Sequence, residues 1–182
     1  MTKRWTWILD SALLFALTAY LIWPLFLVDY DNNWASIQST FISDARFLRE
    51  NLPHPGWQPN WYCGTRFDYI YPPALRYGTA LLSLALNVNT GRSYHLYTAF
   101  FYCLGIAGVY LLARVGWQRR GWSFFAALTT TVLSPSFLLL PHFLTDYAAE
   151  RWMPIRLGVL TRYGEGPHIT SFSLLPFAFA AA

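Results

Sequence analysis

Asp29-Tyr30-Asp31 stands at the foot of the first long apolar run, Ser11–Val28. Carboxylates fixed there could take a proton from an attacking hydroxyl, or bind a hard divalent cation through oxygen, with Asp31 the candidate ligand. The plain alternative stays open: two acids that end a helix and keep the following chain in water. A second polar stretch, residues 141–168, carries His142, Asp146, Glu150, Arg151, Arg156, Arg162, Glu165 and His168. Arginine pairs bidentately with phosphate, so Arg151, Arg156 and Arg162 could hold a lipid-linked phosphate, or simply meet solvent and lipid head groups. His142, Glu165 and His168 are candidate substrate contacts, and either histidine could instead be an ordinary interface residue. No Cys/His spacing fits a zinc site. No Gly-rich phosphate loop, nucleophile elbow or dinucleotide fingerprint is present.

The elements that must position these residues read as membrane helices and the segments between them. The chain of 182 residues is 55% hydrophobic and only 12% charged, against about 25% charged in soluble domains. No basic block suggests nucleic acid, and Cys63 and Cys103 lie in different settings, which argues against a disulfide between them. Residues 5–28 read as a first transmembrane helix, too long for a signal core and without a cleavage site, with Asp10 near its basic end. Residues 34–50 read as an amphipathic helix, with Trp34, Ile37, Phe41, Phe47 and Leu48 at roughly helical spacing. Residues 51–73 hold five prolines and many aromatics, an ordered loop suited to a membrane–water boundary. Residues 74–87 are apolar apart from Arg76 but too short to span, which suits an interfacial or re-entrant helix. Spanning helices are expected over about 95–113 and 122–140, and an apolar run opens at 169–182 and stops short of a full crossing, as in the front part of a longer protein.

Charge orients the arrangement. If 74–87 does not cross, Lys3, Arg4, Arg114, Arg119 and Arg120 fall in two short segments on one side, with Asp10 the acid among them. The other side then holds eight arginines and eight acids over 29–94 and 141–168. Positive charge is retained inside, so the N-terminus is expected in the cytoplasm and both long polar segments outside.

The residues Gly56-Trp57-Gln58-Pro59-Asn60-Trp61-Tyr62-Cys63-Gly64, then Phe67 to Pro73, and Gly164 to His168 carry a resemblance. With one helix before D-x-D and an arginine-rich turn between two later helices, the chain resembles the N-terminal part of the GT-C glycosyltransferase superfamily. More closely it is similar to the bacterial membrane proteins called "6-pyruvoyl-tetrahydropterin synthase-related"; the zinc-binding histidines of pterin chemistry are absent. The resemblance implies an all-α polytopic bundle in a bacterial inner membrane, with a large extracytoplasmic first loop carrying the catalytic acid. It implies a sugar moved from a polyprenyl-phosphate donor to an extracytoplasmic acceptor, with Asp29 and Asp31 catalytic. Related enzymes place a cation just before the proline pair; Tyr71 stands there, and Arg66 and Arg76 are the nearest substitutes. The alternative is a non-catalytic membrane scaffold or assembly subunit that binds lipid or a partner protein. A transporter ranks last, because no buried charge pair is evident in the expected spans.

Overall fold

The computed structural model describes residues 2–30, 36–60, 63–67, 71–132 and 154–182. Asp31, His142, Asp146, Glu150 and Arg151 lie outside the described residues, as does the expected 122–140 span beyond Val132. The described chain is mainly helical. Its axis is α4, Thr90–Trp117, 28 residues long and the one described helix long and apolar enough to cross a membrane. At 1.5 Å per residue it measures about 42 Å, against a hydrocarbon layer of about 30 Å. Its start is set by Asn89, whose side chain accepts from the Arg92 amide at 2.7 Å, the usual way of satisfying a first-turn donor. It therefore begins a turn and more before residue 95, and the polar stretch before that residue is helical. Gln118, left-handed at φ 54°, ends it.

The other long helices pack on α4. Helix α1, Thr2–Leu21, runs antiparallel to it: Asp10 meets Tyr110, Phe15 meets Phe100, and Ile22 joins a cluster with Ala99 and Tyr102. Where 5–28 reads as one helix, the last part is a separate 3-10 turn, Trp23–Phe26, with Pro24 at its start. Proline cannot donate the next helical bond. Helix α5, Arg120–Val132, turns back along α4 and seals Leu14, Ile106, Tyr110 and Ala127 from solvent. Helix α6 (Ile155–Thr161) and helix α7 (Gly166–Ala181) follow. Helix α7 is parallel to α4: Gly166 lies against Tyr94, Ser173 against Gly105 and Phe177 against Gly108.

Helix α2 (Gln38–Asn51) and helix α3 (Pro73–Leu86) form a lateral unit beside the first turns of α4. A two-residue antiparallel pair, β1 (Trp57–Gln58) with β2 (Thr65–Arg66), closes the loop between them. Helix α3 spans about 21 Å and doubles back through Asn87–Asn89 to pack against the first turns of α4, where Ser93 Oγ donates to the Thr79 carbonyl at 2.6 Å. Phe41, Ile42, Leu75 and Tyr94 pack together, and Leu48, Phe67 and Ala80 form a second cluster. Arg49 ties the far end by donating to Ser83 Oγ and the Val88 carbonyl, each at 2.9 Å.

Three expectations need correction. The buried face of α2 is not uniformly apolar, because Gln38 and Asp44 lie on it with Phe41, Ala45 and Leu48. Arg76, expected beside a phosphate, is 4% exposed and paired with Asp44 at 2.5 Å. Burial pulls the Arg76 guanidinium below its ordinary value, and the Asp44 carboxylate opposes that shift. The stretch read as an outer loop over 141–168 contains α6, whose Leu160 is 3% exposed against Ile22, Ala99 and Tyr102. Leu157, Val159 and Leu160 bury there, which draws Arg156 into the bundle. Its guanidinium sits 4.7 Å from the Tyr102 ring centre and donates to Ser173 Oγ at 3.0 Å, beside the middle of α4.

Candidate functional site

The N-terminal end of α4 gathers side chains from four elements. Gly91, Tyr94, His95 and Thr98 recur at helical spacing and share one face of its first turns. The chain leaving α1 lies directly on this face. A methyl group at Gly91 would stand 2.1 Å from the Asp29 carbonyl oxygen and 2.6 Å from the Tyr30 ring. Arg92 reaches sideways to the same segment, donating to the Leu27 carbonyl at 3.2 Å and to Asp29 Oδ1 at 3.4 Å. The Asp29 carboxylate is about half exposed, and an exposed pair of this kind contributes about 0–1 kcal/mol. Asp29 is therefore located by Arg92 without being consumed by it. The partial positive charge of the α4 amino end favours an anion at the same place.

The turn between α6 and α7 arrives from the other side. Tyr94 donates its hydroxyl to the Gly164 carbonyl at 2.9 Å, and the Ile37 amide donates to the Tyr163 carbonyl at 3.1 Å. Gly164 has φ +73°, and a Cβ there would meet Ser36 Oγ at 2.2 Å and the Gln38 amide at 2.5 Å. Just beyond, Glu165 and His168 face each other at 2.5 Å, one helical turn apart, with His168 exposed. Between the two segments lies a crevice of about 140 Å³ lined by Val28, Gln38, His95, Thr98, Leu160 and Thr161, with Pro24 and Leu25 at one wall. Its lining is mainly apolar, yet Gln38 and His95 are buried in it at 4% and 5% exposure. The Asp29 carboxylate and the Arg92 guanidinium thus stand together at the α4 amino end, and the Glu165–His168 pair follows the Gly164 turn that Tyr94 holds. That set can accept a proton from a hydroxyl and hold an anion next to it.

Of the residues expected to act, the structure brings Asp29, Glu165 and His168 to this end. Arg162 is exposed just past α6, close in sequence to the same turn. Arg66 is exposed on β2, opposite Trp57 in the hairpin. Arg76 and Arg156 are engaged elsewhere, as described. Among the described residues no group of three or more His, Cys, Asp or Glu side chains could hold a metal ion, and the immediate partner of Asp29 is a cation. Arg92, His95 and Gln38 were not singled out by sequence reasoning. Asn87–Tyr94 reads as a polar connection until Asn89 is recognised as a helix cap, and that cap is the signal that would place Arg92 and His95 in the first two turns of a helix.

The contact at Gly91 gives a direct test of how the acid is positioned. Gly91→Ala is expected to destabilise the protein by about 1–3 kcal/mol through overpacking, seen as a lower unfolding midpoint. A midpoint equal to the native one would mean that the Asp29–Tyr30 segment is not fixed on α4. No protein family, curated protein or solved structure matches the chain.

Proposed function

We propose that the chain is a polytopic helical membrane bundle of the GT-C kind. Its site at the amino end of α4 transfers a sugar from a polyprenyl phosphate to an acceptor hydroxyl. Support for the membrane comes from the outward faces. Ile8, Leu9 and Leu13 of α1, Phe125 of α5, and Phe172 and Phe179 of α7 are all exposed. Many large apolar side chains left exposed on three helices suit contact with lipid or protein. Exposed Trp5, Trp117 and Trp122 cluster at one end, and Tyr20, Trp23 and Tyr30 at the other, the pattern of two aromatic belts. Arg119 and Arg120 stand at the first end, so the charge rule orients that end to the cytoplasm of a bacterial inner membrane and the α4 amino end outward.

One observation carries the catalytic reading: the half-exposed Asp29 carboxylate is held beside Arg92 at the amino end of α4, next in sequence to Val28, which lines the apolar crevice. In this reading Asp29 accepts the proton of the acceptor hydroxyl. The oxygen then attacks the anomeric carbon as the bond from that carbon to the phosphate oxygen breaks. The departing polyprenyl phosphate takes the bonding electrons, and Arg92 and the α4 amino end balance its charge. The Glu165–His168 pair borders the acceptor, and the prenyl chain lies along the apolar crevice and the outer helix faces. Asp29→Asn should lower transfer by about 10²–10⁴-fold, the usual contribution of a general base, in proteoliposomes with expression matched. Full activity in this variant would sink the assignment.

A scaffold function is favoured by a different observation. Arg76 and Arg156, two of the arginines suited to phosphate, are committed to internal contacts. A stoichiometric membrane partner, together with no binding of polyprenyl-phosphate sugars, would select that reading.

A further inference from the structure

The opposite end of α4 holds a polar cluster that the transfer site does not use. Asp10 is 5% exposed. It accepts from the Tyr110 hydroxyl at 2.7 Å and from Nε and Nη2 of Arg120 at 2.8 Å each. This bidentate pairing compensates one arginine. Arg114, one turn past Tyr110, is 6% exposed, and its guanidinium lies 5.3 Å from the Trp7 ring centre. Its Nε is buried without a hydrogen-bond partner. Among the described residues no carboxylate lies within ion-pair distance of Arg114. Arg114 lines a cavity of about 280 Å³ with Trp7, Val115 and Gln118, and Arg119 lines a neighbouring recess of about 380 Å³ between Trp117 and Trp122.

The charge balance here is positive. Arg114, Arg119 and Arg120 stand against the single carboxylate of Asp10. The carboxyl end of α4 adds a partial charge of about −0.5, too little to cancel the excess. A nearly buried guanidinium that lines a cavity and carries no carboxylate partner among the described residues needs an anion or water. Exposed tryptophans on both sides mark the depth at which lipid head groups lie.

We propose that this cavity binds the phosphate of an anionic phospholipid headgroup, with Arg114 as the buried donor and Arg119 at the rim. The inference rests on the bundle lying in a membrane and is independent of the transfer chemistry. It makes this end a lipid-selective anchor of the kind that basic pockets between membrane helices form.

Two measurements on the full chain test it. The first is flotation with vesicles of phosphatidylcholine alone or with phosphatidylglycerol added. The second is thermal unfolding in detergent with either lipid, or with inorganic phosphate, added at equal concentration. Phosphatidylglycerol should raise the unfolding midpoint well beyond phosphatidylcholine, and Arg114→Lys should lose most of that difference. Arg46→Lys, in a surface pair on α2, should retain it. Should Arg114→Lys fail to fold, Arg119→Gln serves, with a partial loss expected. Equal midpoints with the two lipids in the native protein would overturn the proposal, and an equal rise with inorganic phosphate would overturn the lipid assignment. Failure to float with either vesicle would instead sink the membrane reading on which it rests.

Discussion

Arg76→Ala is expected to destabilise the protein by about 3–5 kcal/mol, because it leaves the Asp44 carboxylate buried without its cation. Both side chains are 4% exposed, and they meet at 2.5 Å. The other Asp44 oxygen accepts from Gln58 Nε2, so the acid cannot turn to water without breaking a second bond. Phe41 closes the remaining side, 5.9 Å from the guanidinium. The pair is not fully served, since Arg76 Nε and Nη1 lack partners, and each buried unsatisfied donor costs about 1–3 kcal/mol. The joint variant Asp44→Leu/Arg76→Met should therefore recover much of the loss, short of the native midpoint because the buried Gln58 Nε2 loses its acceptor, while each single replacement lowers the midpoint sharply. A thermodynamic cycle over the four proteins measures the coupling. A single Arg76→Ala loss below about 1 kcal/mol, the range of exposed pairs, would mean that the pair is solvated and does not clamp α2 to α3.

The clamp bears on the crevice, since α2 supplies Gln38 to its wall. Gly164→Ala attacks the same wall from the opposite side and should be the second large effect. The residue sits at φ +73°, where a side chain costs about 1–2 kcal/mol. Its Cβ would also strike the backbone amide of Gln38 at 2.5 Å, which cannot rotate away as a flexible side chain could. Overpacking adds about 1–3 kcal/mol, for a total loss of about 3 kcal/mol. The turn must then lift from α2, taking Glu165 and His168 with it and loosening the Tyr94 bond to the Gly164 carbonyl. Thermal unfolding reads the first part, and altered histidine reactivity toward an imidazole-modifying reagent reads the second. A native unfolding midpoint together with native His168 reactivity would show that the turn tolerates the methyl group and does not depend on this contact.

Long apolar runs made the helices legible, and their ends were set by chemistry that single residues announce. Pro24 stops α1, Pro73 starts α3 and Asn89 caps α4. Helix α6 was harder to see, because seven residues are too few for a periodic signal and its burial depends on Ile22 and Ala99, far away in sequence. The buried Asp44 was readable in principle. It lies three residues after Phe41 and four before Leu48, on the apolar face of α2. Its partner was not readable, since Arg76 is 32 positions away and only the parallel packing of α2 on α3 brings them together. The site divides the same way. Asp29 stood out by its place at the end of an apolar run. Arg92 reaches it across 63 positions, and the Glu165–His168 pair joins them through the Tyr94 bond to Gly164, which no spacing encodes.

The central claim is that the amino end of α4 takes a polyprenyl-phosphate sugar. Photolabelling of the full chain in proteoliposomes tests it most directly, using a polyprenyl-phosphate sugar that carries a photoreactive group in its first prenyl units. The account predicts adducts on residues 24–30, 36–38, 90–98 or 157–168, suppressed by excess unlabelled donor and weakened by Arg92→Gln. Competable adducts confined to α5 or to the carboxyl half of α7, or no competable labelling at all, would contradict it.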